Sequence, residues 1–298
     1  MNMTLAHPNN KGKVMNRLIQ AMLIFLLVAT FNFSVVATDR AKEKRWASHI
    51  NDFLLDGTVE WLDANHEKFL SIYTPTNKPP IGAVILLHGR GMHPDWPQVI
   101  QPLRTQLPSR GWSTLSLQMP VLQTEASDED YLPIFNEVPA RIQAGLDFLS
   151  SKGLNNIILV GHSLGSNMAT NYLVKHHDPR IKAFVGIGMM GKLQPPETAL
   201  LDNIASILQM QIPVLDVYGS NSFPAILASA DRRAFAIASY QADIRTRHSR
   251  IVEIKEANHF FQGHEDELLG VIVNWLDKLT VAKQTNQIIS TKNHLNSK

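Results

Sequence analysis

The chain of 298 residues contains no cysteine. This absence excludes disulfides, thiolate metal sites, a cysteine nucleophile and a lipid-bearing cysteine behind a leader. The spacing of the twelve histidines matches no zinc-binding pattern. The sequence also lacks internal repeats and low-complexity linkers. It therefore implies neither a metal nor an organic cofactor.

The first 37 residues contain no acidic residue and have the pattern of a targeting leader. Basic residues come first, followed by a short apolar core at residues 21–28. The basic residues are Lys11, Lys13 and Arg17. Small residues at 35–37 suit a signal peptidase, so we expect a signal peptide that is cleaved after Ala37.

Two alternatives to a conventional cleaved leader stay open. Translation could begin at Met15, because the leader is longer than usual. Residues 18–37 could instead remain as an uncleaved membrane anchor, although two polar residues interrupt that span. An exported protein without disulfides fits a bacterial periplasm at least as well as the exterior. The expected location is periplasmic or secreted, with anchoring to the inner membrane as the alternative.

The charge of the whole chain, +2, comes mostly from the leader. Without residues 1–37 the chain has 261 residues, with 25 Lys and Arg against 26 Asp and Glu. This balance gives no reason to expect nucleic acid or an anionic membrane as a partner. Only an uncleaved N-terminal segment would bring the protein to a membrane, and the sequence leaves its oligomeric state open.

Short apolar runs alternate with segments of helical periodicity after residue 57. The strand candidates are residues 58–62, 68–73, 82–87, 113–118, 156–160, 183–187, 214–218 and 250–255. Alternating strands and helices predict an α/β fold, with a mostly parallel central sheet of about eight strands and helices on both faces. No helix separates the first two strands, so they predict an antiparallel hairpin at one edge, with its turn at residues 63–66.

The organisation of the mature chain is expected to be simple. Residues 38–56 form a charged lead-in, partly helical over 46–55, and residues 57–283 form one domain of ordinary size. Residues 284–298 are polar and lack periodicity, so the sequence predicts a disordered tail.

The most informative motif is Gly161-His162-Ser163-Leu164-Gly165. An apolar strand candidate precedes it and a helical segment follows it, which is the pattern of a nucleophile elbow. The turn is too sharp for side chains at the flanking glycines. Ser163 is thereby exposed at the carboxyl end of the sheet. The helix that follows directs backbone N–H groups toward the same place.

A second glycine-rich turn follows the strand at residues 82–87. This turn, His88-Gly89-Arg90-Gly91, can direct a backbone N–H toward the serine. We expect the N–H groups of Arg90 and Leu164 to form an oxyanion hole beside Ser163.

The candidate general base is His259, which follows the last strand candidate and precedes a helix. An imidazole can take the serine proton and return it to the leaving group near neutral pH. The other histidines are less suitable. His176 and His177 lie at a helix end, and His264 opens the last helix beside three acidic residues.

Taken together, these motifs resemble those of the alpha/beta hydrolases, in the order of that family and over residues 57–280. The matching segments are Leu86-Leu87-His88-Gly89, the elbow at Ser163, Pro213–Gly219, and Ala257-Asn258-His259-Phe260-Phe261. More narrowly, the chain is similar to a poorly characterised group of exported proteobacterial members. The resemblance implies the alpha/beta-hydrolase fold but not the substrate, because this fold carries many chemistries.

One position departs from the family. The resemblance implies an acid three residues after Gly219, and this chain has Ser222 there, preceded by Asn221. Three interpretations stay open. A distant carboxylate, of Asp231 or Asp95, reaches His259. Ser222 or Asn221 orients His259 in a slower dyad. Or the site has decayed, and the protein binds without catalysing. Asp216 lies within a strand, so we expect a buried, hydrogen-bonded carboxylate.

Only about twenty residues separate Gly191 from Ile212, which predicts a minimal cap and an open site. The resulting hypothesis is an exported serine hydrolase that cleaves an ester of a small-molecule acyl substrate, with Ser163 and His259 as catalytic residues. The alternative is a weak or inactive hydrolase fold that serves as a binding protein of the cell envelope. Acyl transfer to an acceptor other than water would use the same residues.

Overall fold

A computed structural model of the protein describes residues 38–127, 129–191, 202–240 and 248–295. Within these residues, eight strands form one sheet. They are β1 (Thr58–Ala64), β2 (Glu67–Thr74), β3 (Gly82–Leu87), β4 (Trp112–Leu117), β5 (Ile157–His162), β6 (Ile181–Ile187), β7 (Val214–Asn221) and β8 (Arg250–Asn258). Their order in the sheet is β1-β2-β4-β3-β5-β6-β7-β8.

The helices alternate with the later strands. They are α1 (Arg40–Phe53), α2 (Ile100–Gln106), α3 (Val138–Ser151), α4 (Leu164–Lys175), α5 (Asn203–Gln209), α6 (Pro224–Ala228), α7 (Ala230–Tyr240) and α8 (Glu265–Leu295). Two 3₁₀ turns, Leu107–Arg110 and Pro133–Asn136, precede β4 and α3. The expected α/β fold, with a mostly parallel central sheet, is confirmed: β3 to β8 run parallel, and β1 and β2 join antiparallel.

Strand β3 shows why helices cover both faces of the sheet. All six of its residues are buried. Ile85 and Leu87 pack with α3 and α4 on one face, whereas Val84 and Leu86 pack with α2 and α8 on the other. A strand that is buried on both faces must be apolar at successive positions rather than at alternate ones.

The β1–β2 hairpin closes at the turn that the sequence indicated. Asn65 and His66 both have positive φ, 55° and 67°, as a two-residue type I′ turn requires. The Asp63 carboxylate accepts a hydrogen bond from His66 N at 2.9 Å. This contact fixes the register of the edge hairpin.

Helix α1 begins earlier than the sequence suggested, at Arg40. Asp39 caps it by accepting from Lys42 N at 2.9 Å. On its buried side, Ala47 and Ile50 pack against Leu70 and Ile72 of β2. The lead-in segment is therefore part of the domain and covers one end of the sheet.

The C-terminal helix α8 differs from the expectation of a disordered tail over residues 284–298, because it continues to Leu295. No glycine or proline occurs after Gly270, so the segment lacks the two residues that disfavour a helix most strongly. The expected leader at 1–37 and half of the expected cap, residues 192–201, lie outside the described residues. In the part of the chain that is described, no helix combines the length and the apolar character needed to cross a bilayer.

Candidate functional site

Ser163 lies in the tight turn between β5 and α4. Its backbone angles, φ 53° and ψ −121°, fall in a region that residues other than glycine rarely adopt. Such a conformation costs about 1–3 kcal/mol and persists only where the surroundings enforce it. Ser163 is half-buried, so it is partly open to solvent.

The two flanking glycines are required by close packing. A Cβ on Gly165 would lie 2.2 Å from the Leu87 carbonyl oxygen. A Cβ on Gly161 would lie 2.6 Å from backbone atoms of Gly165. The elbow therefore depends on direct contact between α4 and the ends of β3 and β5.

The loop after β8 brings His259 to the same edge of the sheet. Ser163 N donates to the Ile187 carbonyl oxygen at 2.8 Å, which ties the elbow to the end of β6. The next residue, Gly188, has φ 58°, and a Cβ there would lie 2.9 Å from Nδ1 and Cε1 of His259. The serine and the imidazole are thus held on either side of one short segment. Among the described contacts, no hydrogen bond joins Ser163 Oγ to the His259 ring.

Ser222 is the hydrogen-bond partner of the His259 side chain. Its Oγ lies 3.3 Å from His259 Nδ1, and both residues are buried. Asn221 is exposed and points elsewhere, since its amide donates to the Glu256 carbonyl oxygen at 3.1 Å. Of the two neutral residues that the sequence offered for this place, Ser222 is the one that contacts the imidazole.

The two carboxylates that the sequence left open do not reach His259. Asp95 forms an ion pair with Arg104 at 2.7 Å. Asp231 is exposed in the first turn of α7, where an acidic residue suits the positive end of the helix, and no described contact links it to the imidazole. The charge that a third triad member would supply is therefore absent from the described surroundings of His259.

Aromatic rings surround the imidazole. The Phe223 ring is tilted against it, with centroids 4.3 Å apart and an interplanar angle of 31°. The rings of His162 and Phe260 lie 5.0 Å and 5.1 Å away. Burial, and secondarily the neighbouring His162, lower the pKa of His259 to about 3, so the ring is neutral near pH 7. A neutral imidazole is the form that can accept a proton.

Asp216 is a buried carboxylate, as its position within β7 suggested. Its Oδ2 accepts from Arg233 Nε at 2.6 Å, and both side chains are fully buried. Arg233 also donates to the Ile226 carbonyl oxygen and to Ser229 Oγ. The pair fastens the segment after Ser222 to the sheet and takes no part in the contacts of His259.

Residues 88–91, named the oxyanion loop after the role that the sequence predicts for the Arg90 N–H, are oriented by the His88 side chain. His88 Nε2 lies 2.9 Å from Met119 N and accepts from it, so the ring proton is on Nδ1 and is donated to the Gly89 carbonyl oxygen at 2.9 Å. In a planar trans peptide the C=O and N–H groups point in opposite directions. Fixing the Gly89 carbonyl therefore fixes the direction of the Arg90 N–H.

This loop approaches the serine closely. A Cβ on Gly89 would lie 3.2 Å from Ser163 Cβ. Leu164 occupies the first position of α4, where a helix leaves its N–H groups without partners inside the helix. The two N–H groups expected to form the oxyanion hole, those of Arg90 and Leu164, thus belong to the loop after β3 and to the start of α4, which meet at Ser163.

A buried polar network connects α1 to His88. The Glu43 carboxylate pairs with Arg141 at 3.0 Å, and Arg141 Nη1 donates to the Gln118 carbonyl oxygen at 2.7 Å. The side-chain nitrogen of Gln118 lies 3.1 Å from His88 Nε2. The N-terminal helix therefore contributes to the support of the oxyanion loop.

Sequence reasoning missed three side chains around the site: His162, Phe223 and Arg233. His162 Nε2 lies 3.1 Å from the His259 carbonyl oxygen and ties the base loop to the elbow. Burial lowers the pKa of His162 to about 4. Its place beside Ser163 was a usable signal, whereas nothing local in the sequence marked Phe223 or Arg233.

Solved structures with the same architecture have the alpha/beta-hydrolase fold. Est1E from Butyrivibrio proteoclasticus aligns at 16% identity with a TM-score of 0.54, covering 75% of this chain and 99% of its own. Dienelactone hydrolase from Anabaena variabilis aligns at 18% identity, with a TM-score of 0.55 and coverages of 74% and 96%. An alpha-beta serine hydrolase homologue from Coxiella burnetii aligns at 16% identity with a TM-score of 0.53, and the alignment covers 74% of this chain and 98% of the homologue. At these identities the likeness establishes the fold class.

The protein is thus an alpha/beta-hydrolase-fold protein. Within that class, the chain belongs to the family described as "Protein of unknown function (DUF3530)", whose model matches residues 35–132 and 123–243. No curated protein matches the sequence.

Proposed function

We propose that the protein is a serine hydrolase that cleaves carboxylic esters, with Ser163 as nucleophile and His259 as general base. The observation that carries this proposal is the pairing of a strained, accessible serine with a buried neutral imidazole across Gly188. A structural serine gives no reason to maintain a rare backbone conformation at the end of β5.

The reaction follows from the positions of these groups. His259 donates its Nδ1 proton to Ser222 Oγ, which leaves a lone pair on Nε2. Nε2 takes the proton of Ser163 Oγ while that oxygen bonds to the ester carbonyl carbon. The N–H groups of Arg90 and Leu164 stabilise the oxyanion. The carbon–oxygen bond to the alcohol then breaks, and the alcohol leaves with the proton from Nε2. Water, deprotonated by His259, hydrolyses the acyl-enzyme.

Two structural neighbours support an acyl substrate by their printed names. Est1E has also been solved with bound ferulic acid, at 15% identity to this chain, and the Anabaena protein is called a dienelactone hydrolase. We also propose that the protein acts after export, in the periplasm or outside the cell, as one of the exported proteobacterial hydrolases it resembles. The leader that motivates this location lies outside the described residues.

Labelling with a fluorophosphonate probe tests the activated serine. We expect the purified mature protein to label, and Ser163→Ala and His259→Ala to lose labelling while keeping the thermal unfolding temperature of the wild type. Ser166→Ala is the matched control and should keep labelling, since Ser166 lies near the elbow but is fully buried and donates to the Gly161 carbonyl oxygen. Labelling that persists in Ser163→Ala would contradict the proposal.

One observation favours a second candidate, a hydrolase fold that binds without catalysing. No carboxylate contacts His259 in the described residues, so the imidazolium that forms during attack is poorly stabilised. A folded wild-type protein that neither labels nor hydrolyses aryl acetates would favour this binding function.

A further inference from the structure

The ring of Phe223 forms an open apolar surface beside the proposed catalytic base. Phe223 directly follows Ser222 and caps the start of α6. One face of its ring covers the His259 imidazole, at a centroid distance of 4.3 Å. The edge contact with Phe260, at 6.2 Å and 87°, holds the ring in this position. Yet Phe223 is 50% exposed, so the rest of its surface faces solvent.

The surface continues along α6. Leu227 N donates to the Phe223 carbonyl oxygen at 3.2 Å, so the two residues follow one another along the same side of the short helix. Leu227 is 37% exposed. Every exposed residue over 223–228 is apolar: Phe223, Pro224, Ala225, Leu227 and Ala228. The segment offers no charge and no side-chain hydrogen bond to a group that lies on it.

The chemistry of the proposed reaction says which part of a substrate would cover this surface. His259 must return its proton to the oxygen of the leaving alcohol, so that oxygen lies within hydrogen-bond distance of the imidazole. The carbonyl oxygen is held on the other side, by the N–H groups of Arg90 and Leu164. Because Phe223 packs on the imidazole and is half exposed, its ring is an apolar surface against which the carbon skeleton of the alcohol can lie.

We propose that Phe223 and Leu227 form the alcohol-binding surface of this esterase, which therefore prefers esters of apolar alcohols. This inference rests on the proposed hydrolase function and adds a substrate class to it. Phe223 is a specificity-determining residue, and the selectivity resides in the leaving group rather than in the acyl chain.

Two series of simple esters distinguish selectivity for the leaving alcohol from selectivity for the acyl chain. The first contains methyl, butyl and hexyl acetate, whose alcohols differ in apolar area but little in reactivity. The second contains the methyl esters of acetic, butyric and hexanoic acid. For the wild type we expect kcat/KM to rise about twofold per methylene in the first series, since an open surface recovers about half of the value of full burial.

Phe223→Ala should flatten the alcohol series and leave the acyl series unchanged. Phe223→Leu should keep much of the alcohol dependence, and Leu227→Asn, at an exposed position, should reduce it without endangering the fold. Phe235→Ala is the matched control, because Phe235 is 74% exposed on α7 and makes no described ring contact with His259. It should change neither series.

The inference is overturned if Phe223→Ala keeps the alcohol dependence, or flattens both series equally. Fluorophosphonate labelling distinguishes failure of this inference from failure of the proposed hydrolase function. A wild type that labels at Ser163 but shows a flat alcohol series overturns this inference alone, whereas a folded wild type without labelling overturns the proposed function as well.

Discussion

Ser222 Oγ lies 3.3 Å from His259 Nδ1, in the place where the resemblance to the alpha/beta hydrolases implies a carboxylate. A hydroxyl can hold the tautomer of an imidazole, but it stabilises the imidazolium less than a carboxylate does. The described part of the site therefore combines the elbow at Ser163 with a proposed base, His259, that has no carboxylate partner among the described contacts.

Ser222→Asp should restore that partner. Since loss of the triad carboxylate lowers kcat about 10⁴-fold in serine proteases, even a poorly aligned aspartate should raise kcat for aryl acetates at least about tenfold. Asn221→Asp is the control, because it adds the same charge on a side chain that points to the Glu256 carbonyl. Equal activation in both variants would show that the charge acts from a distance and not through His259.

The low pKa of His259 sets the acid limb of the activity profile. Burial holds this pKa near 3, and activity requires the neutral ring, so kcat/KM should stay level as the pH falls from 8 to about 5. An exposed histidine would already lose activity below pH 6.5. In Ser222→Asp the acid limb should move to higher pH, because a carboxylate favours the imidazolium. A wild-type midpoint near 6.5 would contradict the buried environment described for His259.

Much of this arrangement could be predicted from the sequence, because its signals are local. The elbow needs glycines at fixed offsets from Ser163, and buried parallel strands need runs of apolar residues. The partner of His259 could not be settled in this way. The choice among Ser222, Asn221, Asp231 and Asp95 depends on where side chains point after folding, and Asp95 is taken up by Arg104, which lies nine residues further along the chain.

The same limit applies to the aromatic surroundings. Phe223 and His259 are 36 residues apart in the sequence, and their rings come into contact only when β7 and β8 pair. The extent of α8 was missed for another reason. Absence of apolar periodicity was read as absence of structure, although a polar segment without glycine or proline can continue a helix that is already anchored.

Buried neutral histidines should make the fold sensitive to acid. Burial lowers the pKa of His162 to about 4, whereas an unfolded histidine titrates near 6.5. Between these values the unfolded chain binds more protons, so the free energy of unfolding falls as the pH drops from 6.5 to 4. His162→Gln removes one such group and should reduce this slope by about 1.4 kcal/mol per pH unit. Urea unfolding at a series of pH values from 7 to 4.5 measures the free energy of unfolding and its slope against pH. An unchanged slope in His162→Gln would show that His162 does not contribute to the acid sensitivity.

Close packing at the elbow predicts a sharp contrast between two glycines. Gly165→Ala places a methyl group 2.2 Å from the Leu87 carbonyl oxygen and should prevent soluble expression or lower the unfolding temperature by more than about 10 °C. Gly270→Ala meets nothing within 4 Å in α8 and should stabilise the protein by about 0.5–1 kcal/mol. Similar effects of both changes on thermal unfolding would contradict the packing described between α4 and β3.

The orientation of the oxyanion loop can be tested through His88. His88→Leu removes the 2.9 Å hydrogen bond from His88 Nδ1 to the Gly89 carbonyl oxygen and leaves the longer one from Met92 N, at 3.2 Å, so the Arg90 N–H is held less firmly in its direction. The rate of fluorophosphonate labelling and kcat should fall up to about 10²-fold, with KM little changed, because the oxyanion forms only during reaction. His88→Asn keeps an N–H near the position of Nδ1 and should recover part of the loss. If His88 only stabilises the fold, both variants will lower the unfolding temperature while the properly folded fraction keeps its wild-type kcat.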